Sequence, residues 1–209
     1  MSRKDIDYSV YLVTDSRNNT EEEFLCAIEE AIKGGTTIVQ LREKTASTRD
    51  FYQLALKVKE ITSKYGVPLL INDRIDIAIA IDSDGVHVGQ DDMPADIARA
   101  IIGDEKILGV SASTVDEAKK AQIDGADYIG SGAVFPTSSK DDADSVSKEE
   151  LKEIVDSVDI PVVAIGGINL ENASLLKDTG IAGFSVISAI MYAEDPKLAS
   201  SQLKEIYFS

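Results

Sequence analysis

The chain of 209 residues carries 37 acidic side chains against 21 basic ones, with a formal net charge of −16 and a pI near 4.4. That balance excludes the non-specific nucleic-acid binding in which lysine and arginine meet phosphates. No apolar run approaches the roughly 20 residues of a membrane helix, residues 1–9 hold no leader-type stretch, and Cys26 is the one cysteine, so we expect a cytoplasmic protein in a reducing compartment.

The first strand is expected over 8–14 (YSVYLVT). A helix follows over 20–33, with Phe24, Ile28, Ala31 and Ile32 on one face and a capping box of Thr20 with Glu23 at its start. Cys26 lies on this helix and reads as a small buried hydrophobe. The second strand (36–42, TTIVQLR) precedes a helix over 48–64 whose apolar face is Phe51, Leu54, Ala55, Val58 and Ile61. Strands are then expected at 67–72, 85–89, 107–111, 128–132, 161–166 and 183–188. Further capping boxes pair Thr114 with Glu117 and Ser147 with Glu150. Gly34, Gly66, Gly125 and Gly180 stand where left-handed caps would end helices.

The strands are near-continuous apolar runs, as parallel strands covered on both faces require. Eight βα units without a linker or composition break predict a single (β/α)8 TIM barrel domain over 1–209, within the α/β class. A doubly wound open sheet is the competing topology. The strand ends favour the barrel, because each C-terminal tip carries glycine or polar residues: TD, QLREK, IND, VGQDD, GVSAS, GSGAVFPTSSK, IGGIN and VISAI.

These tips also carry the chemistry. An anionic ligand approaching so acidic a chain needs local cations or a metal. In VQLREK, strand alternation sends Gln40, Arg42 and Lys44 one way and Leu41 the other. An amide and two cations in a row suit a diphosphate, although both cations could instead pair with neighbouring acids. Asn72, Asp73, Asp91 and Asp92 end adjacent strands, where two carboxylates with phosphate oxygens would suit Mg²⁺ and where helix capping is the plainer alternative. His87, the sole histidine, reads as a packed and satisfied imidazole. Gly166, Gly167 and Ser188 fall in the two loops that often hold a phosphate in this fold. Beside them, Gly130 and Gly132 permit close approach, and Thr137, Ser138, Ser139 and Lys140 add hydroxyls and a cation. Spacing alone supports a metal-assisted enzyme acting on phosphorylated small molecules.

Taken in order, YLVTDS, VQLREK, LLINDR, GVHVGQDD, GVSAST, GADYIGSGAVFPTSSK, AIGGIN and VISAI resemble the thiamine phosphate synthase family over nearly the whole chain. The resemblance implies a transferase of thiamine biosynthesis that joins hydroxymethylpyrimidine diphosphate to a thiazole phosphate with Mg²⁺, by dissociative loss of diphosphate. The thiazole partner would be hydroxyethylthiazole phosphate or its carboxylated form. By motif, Gln40, Leu41, Arg42, Glu43, Lys44, Asn72, Ser111 and Lys140 would hold the pyrimidine diphosphate, with Arg42, Lys44 and Lys140 catalytic. Asp73 and Asp92 would bind Mg²⁺. Thr137, Ser138, Ser139, Gly167, Ile187 and Ser188 would hold the thiazole phosphate. A thiazole tautomerase or a sensor of thiazole phosphate is the alternative, and retention of the cations and carboxylates together argues against it. The expected partners are these small molecules, with no nucleic acid and no membrane; a homo-oligomer is compatible with the sequence.

Overall fold

A sheet of parallel apolar strands has two unsatisfied edges, and this chain removes both by closure. The computed structural model describes residues 6–137 and 145–209. Its strands are β1 Val10–Val13, β2 Ile38–Leu41, β3 Leu69–Asn72, β4 Gly85–Val88, β5 Ile107–Ser111, β6 Tyr128–Ser131, β7 Val162–Ile165 and β8 Gly183–Val186. Each pairs in parallel with the next, and β8 pairs with β1 through Tyr11 opposite Ser185, closing the barrel. All eight expected strands are present, most trimmed by one to three residues, and the (β/α)8 TIM barrel stands in place of the open sheet.

The helices α1 Glu21–Gly34, α2 Thr48–Tyr65, α3 Ile75–Ala80, α4 Ala95–Ile102, α5 Val115–Ile123 and α6 Lys148–Ser157 pack outside the strands. A 3-10 helix, Ala173–Thr179, follows β7, and β8 leads into the short α7 Ser188–Met191 and then α8 Pro196–Phe208. Among the described residues, no helix is long and apolar enough to cross a membrane. All three capping boxes form: at α1, Thr20 Oγ1 accepts from the Glu23 amide at 3.3 Å while Glu23 Oε2 accepts from the Thr20 amide at 2.8 Å. Each such cap contributes about 1 kcal/mol.

Two local expectations are corrected. Cys26 is exposed, because it lies two residues on from the buried Phe24, about 200° around the helix. The left-handed cap of α1 is Gly35 (φ 115°), not Gly34. Gly34 stays helical and serves packing instead: a Cβ there would fall 2.1 Å from the Lys197 carbonyl oxygen, where α8 crosses α1.

Side chains alternate across the barrel wall. Leu12, Val39, Leu41, Leu69, Ile71, Val86 and Leu108 pack outward against the helices. Tyr8, Tyr11, Val13, Ile38, Leu70, Ile107, Tyr128, Val163 and Ile187 fill the interior. The end opposite the polar tips is braced by aspartates: Asp84 Oδ2 accepts from the Leu69 amide at 2.8 Å, and Asp127 Oδ2 from the Leu108 amide at 2.9 Å. Arg99 ties α4 to this end, donating to Asp127 (2.6 Å) and to the carbonyls of Gly103, Lys106 and Gly125. The Arg99–Asp127 pair is largely buried, so its loss costs more than that of a surface pair. Arg99→Ala is expected to lower unfolding free energy by about 3 kcal/mol in urea denaturation. A loss below about 1 kcal/mol would reduce the pair to a surface contact.

Candidate active site

The polar strand tips meet at one rim. β2 ends at Leu41, so strict alternation carries Gln40 inward and Leu41 outward and then stops. Gln40 is buried and donates from Nε2 to the Tyr11 phenol at 2.6 Å. Leu41 is fully buried among the wall residues and can offer a ligand its backbone only. Arg42, Glu43 and Lys44 belong to the loop. The Arg42 amide donates to Thr14 Oγ1 at 3.1 Å, while its Nε is buried with no hydrogen-bond partner among the described residues. Burial above all raises the Glu43 carboxyl above its ordinary range, with the Asp15 charge adding, and a Ser16 hydrogen bond and Arg42 opposing.

Lys44 reaches across to the next strand tip and donates to Asp73 Oδ2 at 2.6 Å. One of the two cations thus pairs with an acid, whereas Arg42 forms no ion pair among the described residues. Asp73 does not cap α3, whose N-cap is Arg74. It adopts φ 59°, a left-handed conformation that costs a non-glycine residue about 1 kcal/mol and concentrates at functional sites. Desolvation raises its carboxyl first; the Lys44 bond opposes, and the neighbouring Asp92, by hydrogen bond and charge, raises it further. Asp92 Oδ2 is itself held by the Gly89 amide at 2.8 Å. The raised Asp73 carboxyl, with a second carboxylate beside it, is what a divalent cation would relieve, so the donor set fits Mg²⁺. No cluster of three or more potential metal ligands occurs among the described residues, leaving the other positions of an octahedral ion to substrate and water.

Asn72 is buried at the tip of β3. Ser111, at the tip of β5, bonds through Oγ to His87 Nε2 at 2.9 Å. His87 is the satisfied imidazole expected, with Nδ1 on the Tyr128 phenol at 2.7 Å.

Across the mouth, Gly132, Ala133, Thr137, Gly166, Gly167, Ser185, Ile187 and Ser188 line a small pocket. Gly166 and Gly167 have φ 98° and 67°. A Cβ on Gly167 would meet the Pro136 carbonyl oxygen at 2.5 Å, so both conformation and close approach call for glycine. The loop after β6 lies along this turn, the Val134 and Phe135 amides donating to Ile165 and Gly166 carbonyls at 3.0 and 3.1 Å. Ile187 faces the interior, and Ser188 begins α7 at the pocket's edge. Ser138, Ser139 and Lys140 lie outside the described residues.

Three features escaped the sequence reading. Asn172 Nδ2 donates to the Gly167 carbonyl at 2.9 Å and fixes the glycine turn; the spacing of Asn169 and Asn172 was the available signal. Arg17 clasps the buried Asp15 at 2.6–3.0 Å beside Tyr192, and its hydrogen bonds hold Asp15 below the usual carboxylate range. Tyr11 and Tyr128 join phenol to phenol at 2.6 Å inside the barrel.

A family model, curated relatives and a solved structure agree over most of the chain. The model described as "Thiamine monophosphate synthase" matches residues 10–190. A thiamine-phosphate synthase of Methanobrevibacter smithii is 68% identical over 198 residues, covering 95% of this chain and 94% of the relative. One from Ruminiclostridium cellulolyticum is 60% identical, covering 97% and 96%. The solved thiamine phosphate pyrophosphorylase from Pyrococcus furiosus superposes with a TM-score of 0.89 at 41% identity, covering 99% of this chain and 97% of that one.

The Asp73 geometry yields a test with a defined sign. A carboxyl whose folded pKa lies above its unfolded one destabilises the fold at neutral pH, and the fold gains stability as pH falls through the raised value. The rise at Asp73 is net of Lys44. Asp73→Asn is therefore expected to raise the thermal midpoint at pH 7 and to lose part of the gain on acidification. A large drop in the midpoint would make Asp73 a structural residue.

Proposed function

The chain belongs to the thiamine monophosphate synthase family and is a transferase, and from that premise we propose that its rim joins hydroxymethylpyrimidine diphosphate to a thiazole phosphate, giving thiamine phosphate and diphosphate. What supports this reading is the facing of two half-sites across one mouth. One is the cation and carboxylate group of Arg42, Lys44, Asp73 and Asp92; the other is the glycine and hydroxyl pocket at Gly167 and Ser188.

Gln40, Asn72 and Ser111 hold the pyrimidine ring at the top of the barrel interior, where burial excludes water from the reacting carbon. Arg42 and Lys44 lie at the edge of that pocket and take the diphosphate. The unpartnered Arg42 Nε is a preformed donor for a phosphate oxygen. Asp73 and Asp92 would hold Mg²⁺, which when bound supplies positive charge against the phosphate oxygens. With a ligand in place, Lys44 exchanges its Asp73 partner for phosphate. The chain then neutralises charge as the carbon–oxygen bond breaks, which is the main demand of a dissociative departure. On the other side, Thr137, the Gly167 backbone and Ser188 anchor the remote phosphate of the thiazole and hold its ring nitrogen over the cationic carbon. Neither step needs a general base, in keeping with the one histidine being committed to the interior.

The test is Mg²⁺-dependent release of diphosphate, expected only when both substrates are present. Lys44→Ala should lower kcat about 10²-fold with little change in KM for the thiazole phosphate. Gly167→Ala should do the converse, raising that KM about tenfold, or ~1.4 kcal/mol. Thiazole phosphate binding without any diphosphate release would replace the synthase with a sensor.

A further inference from the structure

Four hydrogen bonds run through the barrel interior from one pyrimidine-holding residue to another. Gln40 Nε2 donates to the Tyr11 phenol (2.6 Å), Tyr11 meets Tyr128 (2.6 Å), Tyr128 meets His87 Nδ1 (2.7 Å), and His87 Nε2 meets Ser111 Oγ (2.9 Å). The five residues come from β2, β1, β6, β4 and β5. Both phenols are fully buried. Room for the chain is made by glycine: a Cβ on Gly109 would fall 2.1 Å from the Tyr128 ring, and one on Gly130 would fall 3.0 Å from His87. Packing alone needs none of this, since leucine or phenylalanine would fill the same volume with no polar group to satisfy.

Proton counting gives the chain a direction. A phenol has one proton, and a neutral imidazole donates from one nitrogen and accepts at the other. Burial holds both phenols far above their ordinary range, so each keeps its proton. Tyr11 accepts from Gln40 and must give its own proton to Tyr128. Tyr128 then gives to His87 Nδ1, and His87 gives from Nε2 to Ser111. The Ser111 hydroxyl proton is left for a ligand. At the other end the Gln40 amide is committed through nitrogen, so Oε1, for which no hydrogen bond occurs among the described residues, is left to accept. With Gln40 donating through Nε2, no later link can reverse alone without leaving a buried proton unpaired, so the two ends present opposite character.

We infer that Tyr128, with Tyr11 and His87, is a positioning residue that sets the polarity of the pyrimidine pocket, so that Gln40 accepts from an exocyclic amino group while Ser111 donates to a ring nitrogen. This rests on the pyrimidine diphosphate reading above and adds to it the discrimination of an aminopyrimidine from its oxo counterpart, whose donor and acceptor are exchanged.

The experiment compares kcat/KM for amino- and oxo-pyrimidine diphosphates with Mg²⁺ and saturating thiazole phosphate. In Tyr128→Phe the amino-over-oxo ratio is expected to fall at least about tenfold, ~1.4 kcal/mol, with KM for thiazole phosphate unchanged. Tyr11→Phe should do the same and serves alone where Tyr128→Phe does not fold. In the double variant the ratio should fall no further than in either single one, because one broken link disconnects the whole chain. A folded Tyr128→Phe or Tyr11→Phe that keeps the wild-type ratio, or additive losses in the double variant, overturns the inference while leaving the synthase reading intact. A wild type that releases no diphosphate from either compound overturns that reading and the inference with it.

Discussion

The pairing of β8 with β1 is the constraint on which the site depends. In a flat sheet of eight strands spaced about 4.8 Å apart, the glycine pocket after β7 and β8 would lie tens of ångströms from the arginine of the β2 loop. With Val10 opposite Phe184 and Leu12 opposite Val186, strand eight lies beside strand one and the two half-sites face each other. The register matters as much as the closure. Parallel pairing with every chain running the same way puts all the C-terminal tips at one level, so loops far apart in sequence contribute to one mouth.

The two ends of the barrel are built on opposite principles. At the end opposite the mouth, Asp84, Asp127 and Arg99 spend hydrogen bonds on backbone amides and carbonyls. At the mouth, several groups are less comfortable than they could be. Asp73 holds a left-handed backbone and a raised carboxyl beside Asp92, and Arg42 Nε and Glu43 Oε1 are buried without partners among the described residues. A protein optimised only for stability would not keep that set together; the phosphate and cation of the proposed reaction would relieve it. Between the ends, the interior trades glycines against tyrosines and a histidine, which lets a polar chain cross a space that branched aliphatic residues usually fill.

Much of this was legible in the residues. Parallel strands buried on both faces announce themselves as unbroken apolar runs, and capping boxes state where α1, α5 and α6 begin, so the barrel and its tips followed directly. The errors have physical causes. Cys26 looked buried by residue type, yet its place around α1 sets it in solvent. Gly34 looked like a cap because its neighbour Gly35 is one; only the crossing of α8 reveals the other role. Alternation from Gln40 could not be carried to Lys44, since β2 ends at Leu41 and the loop turns Lys44 toward Asp73. The phenol pair was out of reach for another reason. That Tyr11 and Tyr128 touch depends on strand parity, on closure and on Gly109 standing opposite Tyr128, and no local pattern encodes the three together.

A crystal structure with both ligands bound, an unreactive pyrimidine diphosphate analogue and a thiazole phosphate, bears most directly on the claim that one rim joins the two half-sites. The account requires the thiazole phosphate at Gly167 and Ser188, the pyrimidine between Gln40 and Ser111, and the diphosphate toward Arg42 and Lys44. It also requires the thiazole nitrogen and the reacting carbon within about 3.5 Å of each other. Ligands seated on separate faces, or the diphosphate in the glycine pocket with Arg42 and Lys44 untouched, would contradict it.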